Sequence, residues 1–137
     1  MPLKKSSNVP LVDLTTPVSH AHLFQLIAST LKPVIPELTA TLVQQLVTRR
    51  EREGETYIGY GAVILHLISE RVPQTTVLLV KSQTPLDWTS RYANQIHHVN
   101  KFVILAISPH DLDGASFRPV MEELADEASI NQLFEME

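Results

Sequence analysis

The spacing of hydrophobic residues changes along the chain, and this change separates predicted helices from predicted strands. In the first third, apolar residues recur every three or four positions, the period of an amphipathic helix. One helix is predicted to follow Ser19, a favourable N-cap, and to stop at Lys32-Pro33. Its stripe consists of Leu23, Phe24, Ile27 and Leu31. A second helix is predicted to begin at Pro36 and to end before Gly54. Its stripe consists of Leu38, Leu42, Val43, Leu46 and Val47.

Unbroken apolar runs replace these stripes in the rest of the chain. They occupy residues 62–68, 75–80 and 101–107. Such runs, rich in β-branched residues, indicate strands that are covered on both faces. The short run 9–14 is predicted to be an edge strand, because Pro10 cannot donate a hydrogen bond to a neighbouring strand. Two late helices, around 117–124 and 130–134, complete the pattern. The sequence therefore predicts an α/β domain in which a sheet lies between helices.

Length and composition restrict the class of protein. A chain of 137 residues suits one domain, and we expect a mobile segment over residues 1–8 and a single domain over 9–137. The net charge of -4 argues against non-specific nucleic-acid binding, which requires a dense cationic surface. The chain has no cysteine, so disulfides, thiolate metal sites and cysteine nucleophiles are excluded. No signal peptide or bilayer-spanning run is recognised, which favours a cytoplasmic location.

His66 interrupts the apolar run 62–68 and is the main candidate for chemistry. A histidine that carries a phosphoryl group must be neutral, must have its second ring nitrogen held by a hydrogen bond, and must be accessible to partner proteins. A guanidinium, such as that of Arg50, and a hydroxyl, such as that of Thr56, are suitable groups to surround the phosphoryl oxygens. The alternative is that His66 is an ordinary core histidine on an apolar strand.

The spacing of residues around His66 matches a known pattern. Its members are Arg50, Glu51, Thr56, Gly59, Gly61 and His66. This spacing resembles the active-site segment of the fructose/mannitol-class EIIA domains of the bacterial phosphoenolpyruvate-dependent sugar phosphotransferase system. The family's run is similar to Arg-Glu-x-x-x-x-Thr-x-x-Gly-x-Gly-x-x-x-Pro-His, and all these residues stand in register with it. The order of predicted elements is similar as well, over roughly residues 9–136.

The resemblance implies a fold and a function. The fold would be a three-layer α/β/α sandwich with a mixed β-sheet. The histidine that matches His66 would accept a phosphoryl group from the phosphocarrier HPr and pass it to a cysteine of an EIIB protein, which serves a membrane EIIC. Arg50 would neutralise phosphoryl charge and Thr56 would orient the ring or the phosphoryl group, with Glu51, Gly59 and Gly61 in support. The resemblance implies no metal and no cofactor, and it leaves open whether the chain forms a homo-oligomer.

Three departures from the family's pattern keep other functions open. Leu65 stands where the family has proline, and Tyr60 stands between the two glycines in place of a small polar residue. The second histidine of mannitol-type members is replaced by Ser116-Phe117-Arg118, although His110 in the preceding loop is a candidate substitute. One alternative is therefore a regulatory EIIA-like domain with weak or no phosphoryl transfer, whose site would be crowded by Tyr60 or Leu65. The other is an interaction protein with a fully buried His66 and no histidine chemistry.

The remaining histidines are weaker candidates. His20 and His22, two residues apart at a helix start, point to different sides of the helix and make a poor metal pair. His97 and His98 are adjacent, and adjacent side chains in an extended chain point in opposite directions. We therefore expect no metal site at either pair.

Overall fold

The computed structural model of the chain describes residues 11–14, 19–53, 56–90, 95–109, 118, 122 and 127–135. Within these ranges the helices are α1 (His20–Leu31), α2 (Ala40–Glu51) and α3 (Glu127–Glu135). The strands are β1 (Leu11–Leu14), β2 (Tyr57–Gly59), β3 (Ala62–Ile68), β4 (Thr76–Ser90) and β5 (Gln95–Ile107). The N-terminal segment predicted to be mobile, residues 1–8, lies outside the described residues.

The five strands form one mixed sheet in the order β1-β4-β5-β3-β2. β1 is parallel to β4 and β3 is parallel to β5, whereas the pairs β4–β5 and β2–β3 are antiparallel. β1 is at one edge, as predicted for the run 9–14. In the centre, His66 of β3 lies opposite Leu105 of β5, and both strands end two residues later. Because β3 and β5 are parallel, their carboxyl ends meet at the same margin of the sheet.

Helices cover both faces of this sheet. A large core cluster joins α1 and α2 to one face, with Leu23, Ile27 and Val43 of the helices packed against β3, β4 and β5. A smaller cluster on the other face joins Ile130 and Phe134 of α3 to the sheet. Alternate residues of β3 belong to different clusters, as the two-residue period of a strand requires. The predicted three-layer α/β/α architecture is confirmed.

The predicted start of α1 is confirmed, whereas that of α2 is wrong. Ser19 caps α1, and its hydroxyl accepts a hydrogen bond from the His22 N–H at 3.1 Å. The second helix begins at Ala40 rather than Pro36, because Thr39 supplies the capping hydroxyl, which accepts from the Leu42 N–H at 3.1 Å. Pro36 instead lies in a turn that is fastened by Lys32, whose ammonium donates to the Pro36 carbonyl at 3.1 Å.

The strands are more extensive than their apolar runs predicted. β4 continues past the predicted end at residue 80 to Ser90, and β5 begins at Gln95 rather than Lys101. The two extensions pair with each other beyond an irregularity between Lys81 and Leu86. β2 was not predicted at all. The last helix, α3, is confirmed, while the helix predicted over 117–124 falls outside the described residues except at positions 118 and 122, which are helical.

Candidate functional site

His66 lies near the carboxyl end of β3, where that strand borders the margin of the sheet. β2 pairs only with the beginning of β3, through Ala62 and Val63, and the Thr56 carbonyl accepts a hydrogen bond from the Ile64 N–H at 3.0 Å. Beyond that point the described residues provide no strand partner on the β2 side. His66 is therefore partly buried, in contrast to the buried Leu65 and Leu67 beside it. His66 is therefore not a fully buried core histidine.

A small pocket of about 130 Å³ brings His66 together with the end of α2. It is lined by Leu46, Arg49, Arg50, Glu53, His66 and Ile68. The α2 residues and Glu53 in the following turn are three or four positions apart and so share one side of the helix. His66 and Arg50, which the sequence predicted to act together, line the same pocket, and neither Leu65 nor Tyr60 lines it.

Burial and charge keep the His66 ring neutral. Desolvation, followed by the positive charge of Arg50, lowers the pKa of His66 from 6.5 to about 4. Both effects oppose protonation, because an imidazolium would be poorly hydrated and would face a like charge. At neutral pH the ring therefore has an unprotonated nitrogen, which a nucleophilic histidine requires.

Two buried nitrogen atoms in this region have no hydrogen-bond partner among the described residues. They are Nδ1 of His66 and Nη1 of Arg50. The hydrogen bond that was predicted to hold the second ring nitrogen of His66 is thus not found in the described part of the chain. Buried polar groups without partners cost stability and are rare in folded proteins, and functional sites are among the places where they are kept.

Glu51 and Thr56 lie next to this pocket in sequence but do not line it. Both are buried, and the Thr56 hydroxyl donates to Oε2 of Glu51 at 3.5 Å. The same oxygen accepts a hydrogen bond from Nε1 of Trp88 at 2.7 Å. Glu51 thereby ties the end of α2 to β4. The sequence analysis did not identify Trp88 as a partner of Glu51, and no local spacing signals a contact between residues 37 positions apart.

Gly59 and Gly61 shape the turn between β2 and β3 rather than the wall of the His66 pocket. Both have positive φ, 95° and 73°, and Tyr60 between them has φ 58°. A Cβ at Gly61 would lie 2.9 Å from Oδ1 of Asn100, so a side chain there would be strained and crowded. The other supporting candidate, His110, lies outside the described residues.

The described residues contain no group of three or more histidine, cysteine, aspartate or glutamate side chains that is suited to hold a metal ion. In the same part of the chain, no helix is long and apolar enough to cross a membrane.

Comparison with known proteins identifies a family. A family model described as "Phosphoenolpyruvate-dependent sugar phosphotransferase system, EIIA 2" matches residues 16–137. No curated protein sequence matches the chain.

Solved structures share the fold. A putative PTS IIA (PtxA) from Streptococcus mutans has a TM-score of 0.66 at 17% identity, covering 97% of this chain and 83% of that one. IIA mannitol from Escherichia coli has a TM-score of 0.58 at 18% identity, with coverages of 98% and 91%. Nitrogen regulatory protein IIA-Ntr from Neisseria meningitidis also has a TM-score of 0.58, at 20% identity, with coverages of 96% and 93%. At these identities the similarity establishes the fold.

Proposed function

Because the chain belongs to the EIIA 2 family of the phosphoenolpyruvate-dependent sugar phosphotransferase system, we propose that it is a phosphocarrier that accepts a phosphoryl group on His66. The observation that supports this proposal is the neutral imidazole of His66 in a pocket that it shares with Arg50. A neutral ring is the nucleophile, and the guanidinium is a ready counter-charge for the group that it receives.

The transfer proceeds without a metal or cofactor. Because Nδ1 of His66 is buried, Nε2 is the nitrogen that attacks the phosphorus atom of phosphorylated HPr. A new N–P bond forms at His66 as the bond between phosphorus and HPr breaks. In the second half of the cycle an EIIB cysteine thiolate attacks the same phosphorus, an S–P bond forms, and the His66 N–P bond breaks. His66 returns to its neutral state.

Arg50 stabilises the transferring group. Its buried Nη1 has no acceptor among the described residues, and a phosphoryl oxygen supplies one. A guanidinium that faces the equatorial oxygens neutralises charge without a change in its own protonation. Arg49 lines the same pocket and adds a second positive charge.

Thr56 and Glu51 act as positioning residues in this proposal. The Thr56 hydroxyl donates to Glu51, and Glu51 directly follows Arg50 in the last turn of α2. Holding the Glu51 carboxylate between Thr56 and Trp88 fixes the helical turn from which Arg50 extends. Gly59 and Gly61 contribute by shaping the turn that sets the start of β3.

The partners of such a domain are HPr as donor and an EIIB protein as acceptor, in the cytoplasm, with an indirect connection to a membrane EIIC. Ile68, 40% exposed at the end of β3, lies at the pocket and offers apolar surface to either partner. An apolar patch inside a charged rim, here Arg49, Arg50 and Glu53, suits a transient protein–protein contact.

Intact-mass analysis after incubation with phosphoenolpyruvate, enzyme I and HPr tests the proposal. We expect one phosphoryl adduct that is stable in alkali and labile in acid, and that is absent from His66→Ala. His98→Ala is the matched control, since His98 is exposed on the extended part of β5 and lies outside the pocket.

Two results would contradict this assignment. A folded protein without an adduct would favour the regulatory EIIA-like domain, with Leu65 and Tyr60 as the residues to revert. An adduct that survives in His66→Ala would place the chemistry on another histidine, and His110 would be tested next.

A further inference from the structure

The charged side chains of the His66 pocket differ in how deeply they are buried. Arg50 is partly buried, its Nη1 is buried, and its positive charge acts on the His66 ring. Arg49 and Glu53 also line the pocket, but both are exposed. These two residues form the entrance of the pocket. A phosphoryl donor that approaches from solution therefore meets them before it reaches Arg50 and His66.

The turn that follows α2 holds Glu53 at this entrance. The Glu53 N–H donates to the Arg50 carbonyl at 3.0 Å, and Arg49 lies four positions earlier, on the same side of the helix. Opposite charges at this spacing often form an ion pair. In the described part of the chain, however, neither the Arg49 nor the Glu53 side chain has a partner. Both charges therefore face the solution.

A larger pocket on another side of α2 contains a carboxylate of a different kind. This pocket has a volume of about 490 Å³, lies between α1, α2 and the end of β4, and is lined by residues that include Glu51 and Trp88. Glu51 is 8% exposed and accepts hydrogen bonds from Trp88 and Thr56. Contacts of this kind, which connect parts of the fold, are not found for the Glu53 carboxylate among the described residues.

A carboxylate at the entrance opposes the arrival of an anion. A phosphoryl group carries a charge of about -1.5 to -2 at neutral pH, so Glu53 repels it while Arg49 attracts it. Because the two entrance charges cancel, a small anion in solution gains little by approaching. Without Glu53, Arg49 would attract any small phosphorylated molecule. A protein donor differs, since side chains on its own surface can offset the carboxylate.

We propose that Glu53 is a specificity-determining residue, which keeps small anionic phosphoryl donors away from His66 and thereby favours a protein donor. This inference rests on the proposed function, because it concerns the same pocket and the same histidine. Glu53 acts on the approach of the donor, whereas Arg50 acts on the group that is transferred.

The rates at which phosphoramidate and phosphorylated HPr modify His66 test the proposal. With phosphoramidate, a small anionic donor, an N–P bond forms at His66 as the P–N bond of the donor breaks and ammonia leaves. Intact mass measures the adduct with either donor, and His66→Ala corrects for reaction at other histidines. We expect Glu53→Gln to react with phosphoramidate at least about threefold faster than the wild type, with no gain in the rate from HPr.

Further variants separate the charge of the entrance from its structure. Arg49→Gln is expected to slow the reaction with phosphoramidate by at least about threefold, whereas Arg49→Gln combined with Glu53→Gln restores a neutral entrance and a rate within about twofold of the wild type. Glu53→Asp keeps the charge and is expected to keep the wild-type rate. The gain in Glu53→Gln should shrink as the salt concentration rises, which a purely structural effect would not do.

Glu70→Gln is the matched control, since it removes an exposed carboxylate shortly after the end of β3 but outside the pocket, and we expect no change in either rate. No gain in Glu53→Gln with phosphoramidate, an equal gain with both donors, or an equal gain in Glu70→Gln would overturn the proposal. Failure of the proposed phosphocarrier function has a different signature, because the wild type would then accept no phosphoryl group from HPr. The phosphoramidate rates of the variants would still show whether Glu53 repels small anions.

Discussion

The two pockets beside α2 are built from the same helix and are lined by different charged residues. Residues 46, 49 and 50 face the small pocket, and residues 44, 47, 48 and 51 face the large one. At 100° per residue these two sets lie on either side of the buried Val43. Arg49, Arg50 and Glu53 line the first pocket, and Glu51 lines the second. Neighbouring residues in one helical turn, Arg50 and Glu51, thus serve different environments.

The two pockets also differ in whether their buried polar atoms have hydrogen-bond partners. The Glu51 carboxylate accepts hydrogen bonds from Thr56, five positions away, and from Trp88, 37 positions away, which makes it part of the folded framework. Nη1 of Arg50 and Nδ1 of His66 are buried without a partner in the described part of the chain, which suits a site completed by a transferred group. Glu51 therefore differs from Arg50 and His66 in its hydrogen bonding, although all three belong to the same sequence motif.

The largest expected effect comes from removing one of the two positive charges of the small pocket. Arg50→Ala is expected to slow phosphorylation of His66 by HPr about 10²- to 10³-fold, since one pre-oriented charge donor is lost. Arg50→Lys should recover part of the rate, because lysine keeps the charge without the planar donor array. The initial rate of adduct formation measures both variants.

The control for Arg50 is Arg52→Ala, which alters the same basic run at an exposed position outside the pocket. If Arg52→Ala slowed transfer as much as Arg50→Ala, the effect would come from general electrostatic attraction between the protein and HPr. The position of Arg50 in the pocket would then not explain it.

In the large pocket, the main effect of losing the acidic group is on stability. Glu51→Ala is expected to lower the free energy of unfolding by about 2–4 kcal/mol, because the Trp88 N–H and the Thr56 hydroxyl lose their acceptor and a cavity opens. Urea denaturation followed by Trp88 fluorescence provides the measurement.

Glu37→Ala serves as the matched control, since its ion pair with Arg71 is largely exposed and is worth at most about 1 kcal/mol. Equal losses in Glu37→Ala and Glu51→Ala would show that the buried contacts of Glu51 have little energetic weight.

Through the titration of His66, the small pocket makes the stability of the folded protein depend on pH. The folded state keeps the pKa of His66 at about 4, whereas the unfolded ring takes up a proton near 6.5. Between these values the unfolded state binds more protons, so the contribution of His66 to stability falls as pH drops from 6.5 towards 4 and is constant above 6.5. NMR titration of the ring measures the pKa directly.

In urea denaturation, His66→Gln is expected to remove the part of the loss of stability between pH 6.5 and 4 that comes from His66. The pH dependence that comes from other groups is expected to remain. Arg50→Ala should raise the pKa of His66, because the like charge is removed. A wild-type ring that titrates near 6.5 would contradict the predicted burial and charge of the site.

The smallest effect is expected at a position that neither pocket includes. Tyr60 occupies the left-handed region in the turn between β2 and β3, where asparagine or glycine is better tolerated. Tyr60→Asn is expected to raise the free energy of unfolding by about 0.5–1 kcal/mol and to leave phosphorylation of His66 unchanged. Thermal denaturation and the phosphorylation assay check this. A loss of phosphorylation would show that the turn contributes to the function of the His66 pocket.

Much of the fold was predictable because local patterns encode it. The strand at 62–68 and the core of β5 were confirmed, since unbroken apolar runs are required where both sheet faces are covered. The cap at Ser19 was confirmed because its hydrogen bond joins residues three apart. The start of α2 was wrong because two capping signals, Pro36 and Thr39, compete within four positions. The polar extensions of β4 and β5 were missed because their pairing partner, rather than their hydrophobicity, makes them strands.

The sequence by itself determined the order of the elements other than β2, the family motif and the pairing of His66 with Arg50 as candidates. Those features depend on periodicity and spacing, which are properties of the chain before it folds. Only the tertiary structure decided that Thr56 contacts Glu51 and that Trp88 completes that contact. It also decided that the His66 pKa is low and that a second pocket exists beside α2. These properties depend on burial and on distances between segments, and both arise only when helix and sheet pack together.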